Sequence, residues 1–177
     1  RQWPTPYDPI DPATIPARRW IYGRHYIRSN VSVLASAGGI GKTSMQTVEA
    51  LAIATGKSLL EDMVHEQCNV WLINLEDPLE EMQRRVAAAM MHYEIKADDV
   101  RGRLFLDAGR DLKIIFAKQS RDGLDVDEEL REYMADKIEQ NNIGMVFVDP
   151  WVGANQINEN DNVAMNAAIA SVRSIAD

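Results

Sequence analysis

The chain of 177 residues contains one cysteine, Cys68, so it can form no internal disulfide and no cysteine-cluster metal site. That usage is expected of a cytoplasmic protein. Histidine is also scarce: His25, His65 and His92 lack metal-ligand spacing, and surface or packing roles are expected for them. No stretch approaches the roughly 20 apolar residues a membrane span needs, and the opening residues lack the basic-then-apolar pattern of a secretory signal. No membrane partner is expected. Basic residues are in deficit, with a net charge of −8 that is unevenly spread. Residues 1–28 hold five arginines against two aspartates, a balance of +3, which leaves −11 on the remainder. Such a surface excludes a free-standing duplex binder, whose affinity rests on Lys and Arg neutralising phosphates. Nucleic acid would need a ring, in which few contacts per subunit are multiplied.

The length suits a single folded core. Pro4, Pro6, Pro9, Pro12 and Pro16 crowd residues 1–17, which read as an extended N-terminal arm, leaving 18–177 for the core. The aromatics that follow, Trp20, Tyr22 and Tyr26, are expected to pack on the edge of the domain. Beyond them, the pattern alternates. Helices are predicted over 43–54, 79–93, from about 125–129 to 140, and 163–176, and near-continuous apolar strands over 69–75 and 143–148. Two further strand-like runs, 103–107 and 113–118, are separated by turn residues and read as a hairpin. This alternation predicts an α/β fold, a mainly parallel sheet with helices on both faces.

Residues 31–44 are the most informative stretch. A short β-branched run, expected to be a strand, leads into Ser36-Ala37-Gly38-Gly39-Ile40-Gly41-Lys42-Thr43-Ser44 and then into a helix. Glycines let a backbone turn its N–H groups inward on an anion, and the helix start adds its positive dipole end. Lys42 is then the cation for the β- and γ-phosphates, and Thr43 the hydroxyl for Mg²⁺. The strict pattern begins with glycine, where this chain has Ser36.

In parallel α/β sheets, ligands sit at the carboxyl ends of the strands. Two strands here end in carboxylates: Glu76-Asp77 after the first, Asp149 after the second. Asp149 fits the carboxylate that steadies Mg²⁺, with Asp77 a further candidate. Glu76 is the candidate base for the water that attacks the γ-phosphate, with Asp77 its rival, although either can cap the helix that Pro78 opens. On that helix, Arg84 and Arg85 could lay a guanidinium on an adenine face, and Arg85 is the choice.

With Ser-Ala-Gly-Gly-Ile-Gly-Lys-Thr, Asn-Leu-Glu-Asp-Pro and Val-Phe-Val-Asp-Pro in this order, the chain resembles the RecA-like ATPases of the plasmid and phage replicative helicase RepA type over most of residues 15–177. The resemblance implies a RecA-like P-loop core that binds ATP and Mg²⁺. It accounts for Ser36, since the phosphate loop in that family often begins with serine. It also implies Glu76 as catalytic base, Asp149 at the Mg²⁺-associated position, and a homo-oligomeric ring, a hexamer, acting on single-stranded DNA. Residues 153–162 are similar to the family's channel-facing loop, yet hold Glu159 and Asp161 and no Lys or Arg. Family members continue into a sensor strand with paired histidines and later an arginine finger, so a core that stops at Asp177 is expected to be truncated, and weak or inactive in hydrolysis by itself. Two alternatives stand beside the helicase reading: a mobile-element ATPase that regulates or loads replication proteins, and a P-loop small-molecule kinase using basic residues within 103–121 as a lid.

Overall fold

The computed structural model describes residues 4–109, 114–120, 123–156 and 161–176. A two-stranded ribbon, β1 (Trp20–Tyr22) and β2 (Tyr26–Ile27), precedes α1 (Lys42–Thr55). Then follow β3 (Asn69–Asn74), α2 (Leu79–His92), the short α3 (Ala97–Val100) and β4 (Leu104–Ala108). The second half holds β5 (Ala117–Ser120), β6 (Gly123–Val126), α4 (Glu128–Gln140), β7 (Ile143–Asp149), β8 (Asn155–Gln156) and α5 (Asn162–Ala176). Among the described residues, no helix is long and apolar enough to cross a membrane.

The central sheet is parallel, in the order β4-β3-β7. β3 lies in the middle because its four central residues, Val70 to Ile73, are apolar and both of its faces are covered. Alternation along the strand divides the core. Val70 and Leu72 pack with Ala50, Ile53 and Ala54 of α1 and Met82 of α2, whereas Trp71 and Ile73 pack with Phe116, Ile114 and Met134 of α4. Trp71 also donates its indole N–H to Asp107 on the adjacent β4, 2.7 Å away. The strands end level, with Asn74 opposite Ala108 on one side and Asp149 on the other. Just past that line the backbone continues to bond sideways, Leu75 N–H to Asp149 O at 2.8 Å and Gly109 N–H to Asn74 O at 2.7 Å. Gly109 must be glycine, since a Cβ there would lie 2.7 Å from the Cα of Leu75.

Two expectations about strands are corrected. Residues 103–118 do not form a hairpin: β4 joins the parallel sheet, while β5 pairs antiparallel with β6 and parallel with β8 in a separate three-stranded sheet. The run 31–34 is also not a strand. Residues 31–37 lie outside any ladder, and Val33 is 65 % exposed. β-branched residues supply a preference for extended backbone, but a strand exists only when a neighbour shares its hydrogen bonds. Among the described residues, β7 is paired on one side only, by β3, and residues 31–37 do not add to its open edge. The polar stretch after β7 likewise begins as a short 3-10 turn (Trp151–Ala154) and β8, whereas residues 157–160, including Glu159 of the expected channel loop, lie outside the described residues.

The ribbon sits deeper than the domain edge expected for its aromatics. Tyr22 and Tyr26 are buried, and Tyr26 meets Phe147 of β7 edge-on, ring centroids 5.5 Å apart. Between ribbon and α1 lies a buried carboxylate, Glu49. It accepts a hydrogen bond from the Tyr26 hydroxyl at 2.7 Å, and the His25 imidazole stands 3.2 Å from its other oxygen. A buried carboxylate needs such partners, because removal from water costs several kcal/mol otherwise. Arg28, just after the ribbon, closes a two-point pair with Glu66, with contacts of 2.6 and 3.2 Å, and holds that carboxyl below its usual range.

Burial, and then the charge of Glu49, push the Tyr22 phenol up to about 12; burial and the hydrogen bond to Glu49 push Tyr26 up as well. Unfolding restores both to about 10. Since the folded values are the higher ones, this contribution to stability is complete below about pH 10 and is lost as pH rises toward about 12. Denaturant unfolding across that window is expected to show a falling midpoint that Tyr22→Phe makes shallower. If all five tyrosines ionise in the ordinary range with the fold intact, the burial argument fails.

Candidate active site

The loop between residues 36 and 41 uses its glycines as the sequence demands. Gly39 and Gly41 have φ of +76° and +94°, which side-chain-bearing residues adopt only with strain. An added Cβ at Gly38, Gly39 or Gly41 would meet nothing within 4 Å, so the loop stands clear of the rest of the molecule and open to a ligand. Gly41 is the N-cap of α1 and brings no side-chain cap, which leaves the first-turn N–H groups available to an anion. Ile40 and Ser44 are exposed. The Lys42 ammonium folds back to donate to the carbonyls of Ser36 and Ala37 at 3.1 and 3.0 Å. In this position it spans the loop that the phosphates would occupy.

One residue further on, the Thr43 hydroxyl donates to Oδ2 of Asp149 at 2.5 Å, which joins the start of α1 to the end of β7. Both residues line a cleft with Thr47, Leu72, Asn74, Met82 and Arg85, between α1, the ends of β3 and β7, and α2. A hydroxyl and a carboxylate in contact are hard oxygen donors, the set that suits Mg²⁺ bound with several of its waters. The residues present therefore fit the ion.

Beyond β3 the chain turns sharply. The Asn74 side-chain oxygen accepts the N–H groups of Glu76 at 2.9 Å and Asp77 at 2.7 Å, an Asx-type turn that starts α2 after Pro78. Glu76 is exposed, and among the described residues its carboxylate makes no hydrogen bond or ion pair. Asp77 pairs with Arg85 at 2.7 Å, and the same guanidinium reaches Glu81 at 3.2 Å. Arg84 pairs with Glu80 and Glu81 and is more exposed. Pairs as accessible as Arg85–Asp77 are worth about 0.2–1 kcal/mol, so Arg85 can exchange them for a ligand at little cost.

Lys42, Thr43, Asp149, Asp77 and Arg85 thus gather around one end of the sheet, with the Glu76 carboxylate exposed on the turn beyond β3. Two polar residues of the cleft escaped the sequence reading. Thr47 is a helix-interior hydroxyl bonded to the Thr43 carbonyl at 2.7 Å, and nothing local marks it. Asn74 did leave a signal: an Asn two residues before an exposed acid, at a strand end ahead of a proline, is a turn former.

If the Thr43 hydroxyl and the Asp149 carboxylate meet in solution as they do here, Thr43→Val and Asp149→Asn will couple. A double-mutant cycle on unfolding free energy is expected to give an interaction of about 1–3 kcal/mol. Strict additivity would show that the two groups are apart.

A family model described as an AAA domain matches residues 5–177. No curated protein matches the chain in sequence. The match runs over nearly the whole length and includes the glycine loop, Lys42-Thr43 and Asp149. The chain belongs to the AAA-domain family and is a P-loop ATPase.

Proposed function

We propose that this chain is the ATP- and Mg²⁺-binding, RecA-like core, residues 18–177, of a ring-forming, helicase-like protein that hydrolyses ATP and acts on single-stranded DNA. The observation that carries the reading is the Thr43–Asp149 contact at the end of β7, with the Glu76 carboxylate, unpaired among the described residues, beyond the adjacent strand end. In this reading residues 36–44 wrap the phosphates, Lys42 swings from the Ser36 and Ala37 carbonyls to the β- and γ-phosphates, and Thr43 and Asp149 hold the ion, with Asp77 within its outer shell. Bound Mg²⁺ would neutralise charge on the β- and γ-phosphate oxygens. Glu76 takes the proton of the attacking water, a role that an unpaired, solvent-reachable carboxylate can fill. Arg85 leaves Asp77 to lie against the nucleotide, on its adenine face. Residues 1–17 serve as an arm outside the core, and subunits close into a hexameric ring around DNA. The acidic surface favours a second reading, an ATPase that loads or regulates replication proteins, because −11 over residues 29–177 suits a protein partner better than phosphates. A kinase ranks lower, since a glutamate beyond the strand end is suited to water activation.

Phosphate release by the full-length, ring-forming protein of this reading, with and without single-stranded DNA, tests this directly. Glu76→Gln is expected to lower turnover about 100- to 10,000-fold and leave Mg-ATP binding in place. Lys42→Ala is expected to weaken Mg-ATP binding about 10- to 100-fold, the worth of a charge-assisted contact. Turnover untouched by Glu76→Gln would remove the proposed base; turnover indifferent to single-stranded DNA would favour the loader.

A further inference from the structure

Asn74 occupies the most constrained position at this end of the sheet. It is 4 % exposed, and its neighbour across the ladder is Asp149. Its backbone carbonyl is taken by Gly109 N–H, and its side-chain oxygen by the N–H groups of Glu76 and Asp77. Since both of those partners are donors, the acceptor must be the amide oxygen, which fixes the orientation of the side chain. Its Nδ2 consequently points away from the turn and makes no hydrogen bond among the described residues, while the residue lines the cleft with Thr43 and Asp149.

We propose that Asn74 is a positioning residue for hydrolysis: by holding the Glu76 and Asp77 amides to the end of β3, it sets where the Glu76 carboxylate stands relative to Thr43 and Asp149. This rests on the reading of Glu76 as the base. The argument is one of constraint. Among the described residues the Glu76 carboxylate has no ion pair or hydrogen bond to orient it, so its placement depends on its backbone, and the two bonds to Asn74 fix that backbone to the level of Asp149. Without them the chain between Leu75 and Pro78 loses two local ties, and a displacement of about 1 Å in a catalytic group can cost about 100-fold in rate. The choice of amide over carboxylate follows from the register. An aspartate could accept the same two N–H groups, but it would place a second negative charge directly across the ladder from Asp149, at the strand spacing of about 4.8 Å.

The test uses the full-length, ring-forming protein of the proposed function and compares Asn74→Ala, Asn74→Ser, Glu76→Gln and the Asn74→Ala/Glu76→Gln double variant. Asn74→Ala is expected to lower kcat about 10- to 100-fold while the calorimetric Kd for Mg-ATP stays within about twofold. Asn74→Ser, whose hydroxyl can accept a weaker bond of the same kind, is expected to recover part of kcat and serves also if Asn74→Ala folds poorly. The double variant is expected to be no slower than Glu76→Gln alone. Amide hydrogen exchange supplies a readout independent of turnover: protection at Glu76 and Asp77 falls in Asn74→Ala and is partly regained in Asn74→Ser. Unchanged kcat in Asn74→Ala, or losses that multiply in the double variant, would overturn the proposal. If Glu76→Gln itself leaves turnover intact, the assignment of the base has failed instead.

Discussion

The level ending of β3 and β7 is the constraint on which the site depends. Because Asn74 and Asp149 face each other in the ladder, the turn carrying Glu76 and Asp77 and the carboxylate that meets Thr43 emerge side by side. That register follows from burial. β3 is covered on both faces, and a slip of one residue would exchange Val70 and Leu72 with Trp71 and Ile73, sending each pair into the wrong half of the core. The geometry of the polar site is therefore set by apolar packing several residues away.

The second support is the anchoring of α1. Its amino end presents Thr43 to the cleft and Lys42 to the loop, yet the loop before it touches little. The helix is held further along, by Ala50, Ile53 and Ala54 against the sheet and by Glu49 against Tyr26 and His25 of the ribbon. A rigid helix carrying an open loop is a sound arrangement for anion binding: the dipole and N–H groups are placed in advance, and the loop remains free to close on the phosphates. The charged side chains around the cleft are held more loosely. Lys42 rests on loop carbonyls and Arg85 on two half-exposed carboxylates, so both can change partners for a small cost.

Much of this was legible in the order of residues. The helix over 79–93, the buried strands ending near Leu75 and Asp149, and the glycine loop each follow from local rules: period 3.6, unbroken apolar runs, and positive φ reserved for glycine. The failures share a cause. Residues 31–34 have strand composition and 103–118 have hairpin spacing, but both statements require a pairing partner that local pattern does not name. Asn74 was overlooked for a related reason. Its role depends on two backbone amides accepted by one side chain and on a carboxylate in the next strand, and only the first of these is local.

By itself, the sequence determined the chemistry at hand: a glycine loop followed by Lys-Thr before a helix, acids after apolar strands, and an acidic surface with little for duplex DNA. These are properties of neighbouring residues and need no fold to be read. Only the tertiary structure decided that Thr43 and Asp149, 106 positions apart, are in contact, that Arg85 is shared between Asp77 and Glu81, and that Asn74 stands where the acid-bearing turn meets the strand that ends in Asp149. Such contacts arise when packing closes a long loop, and the free energy for that closure comes from the buried faces of β3, not from the polar groups that the closure brings together.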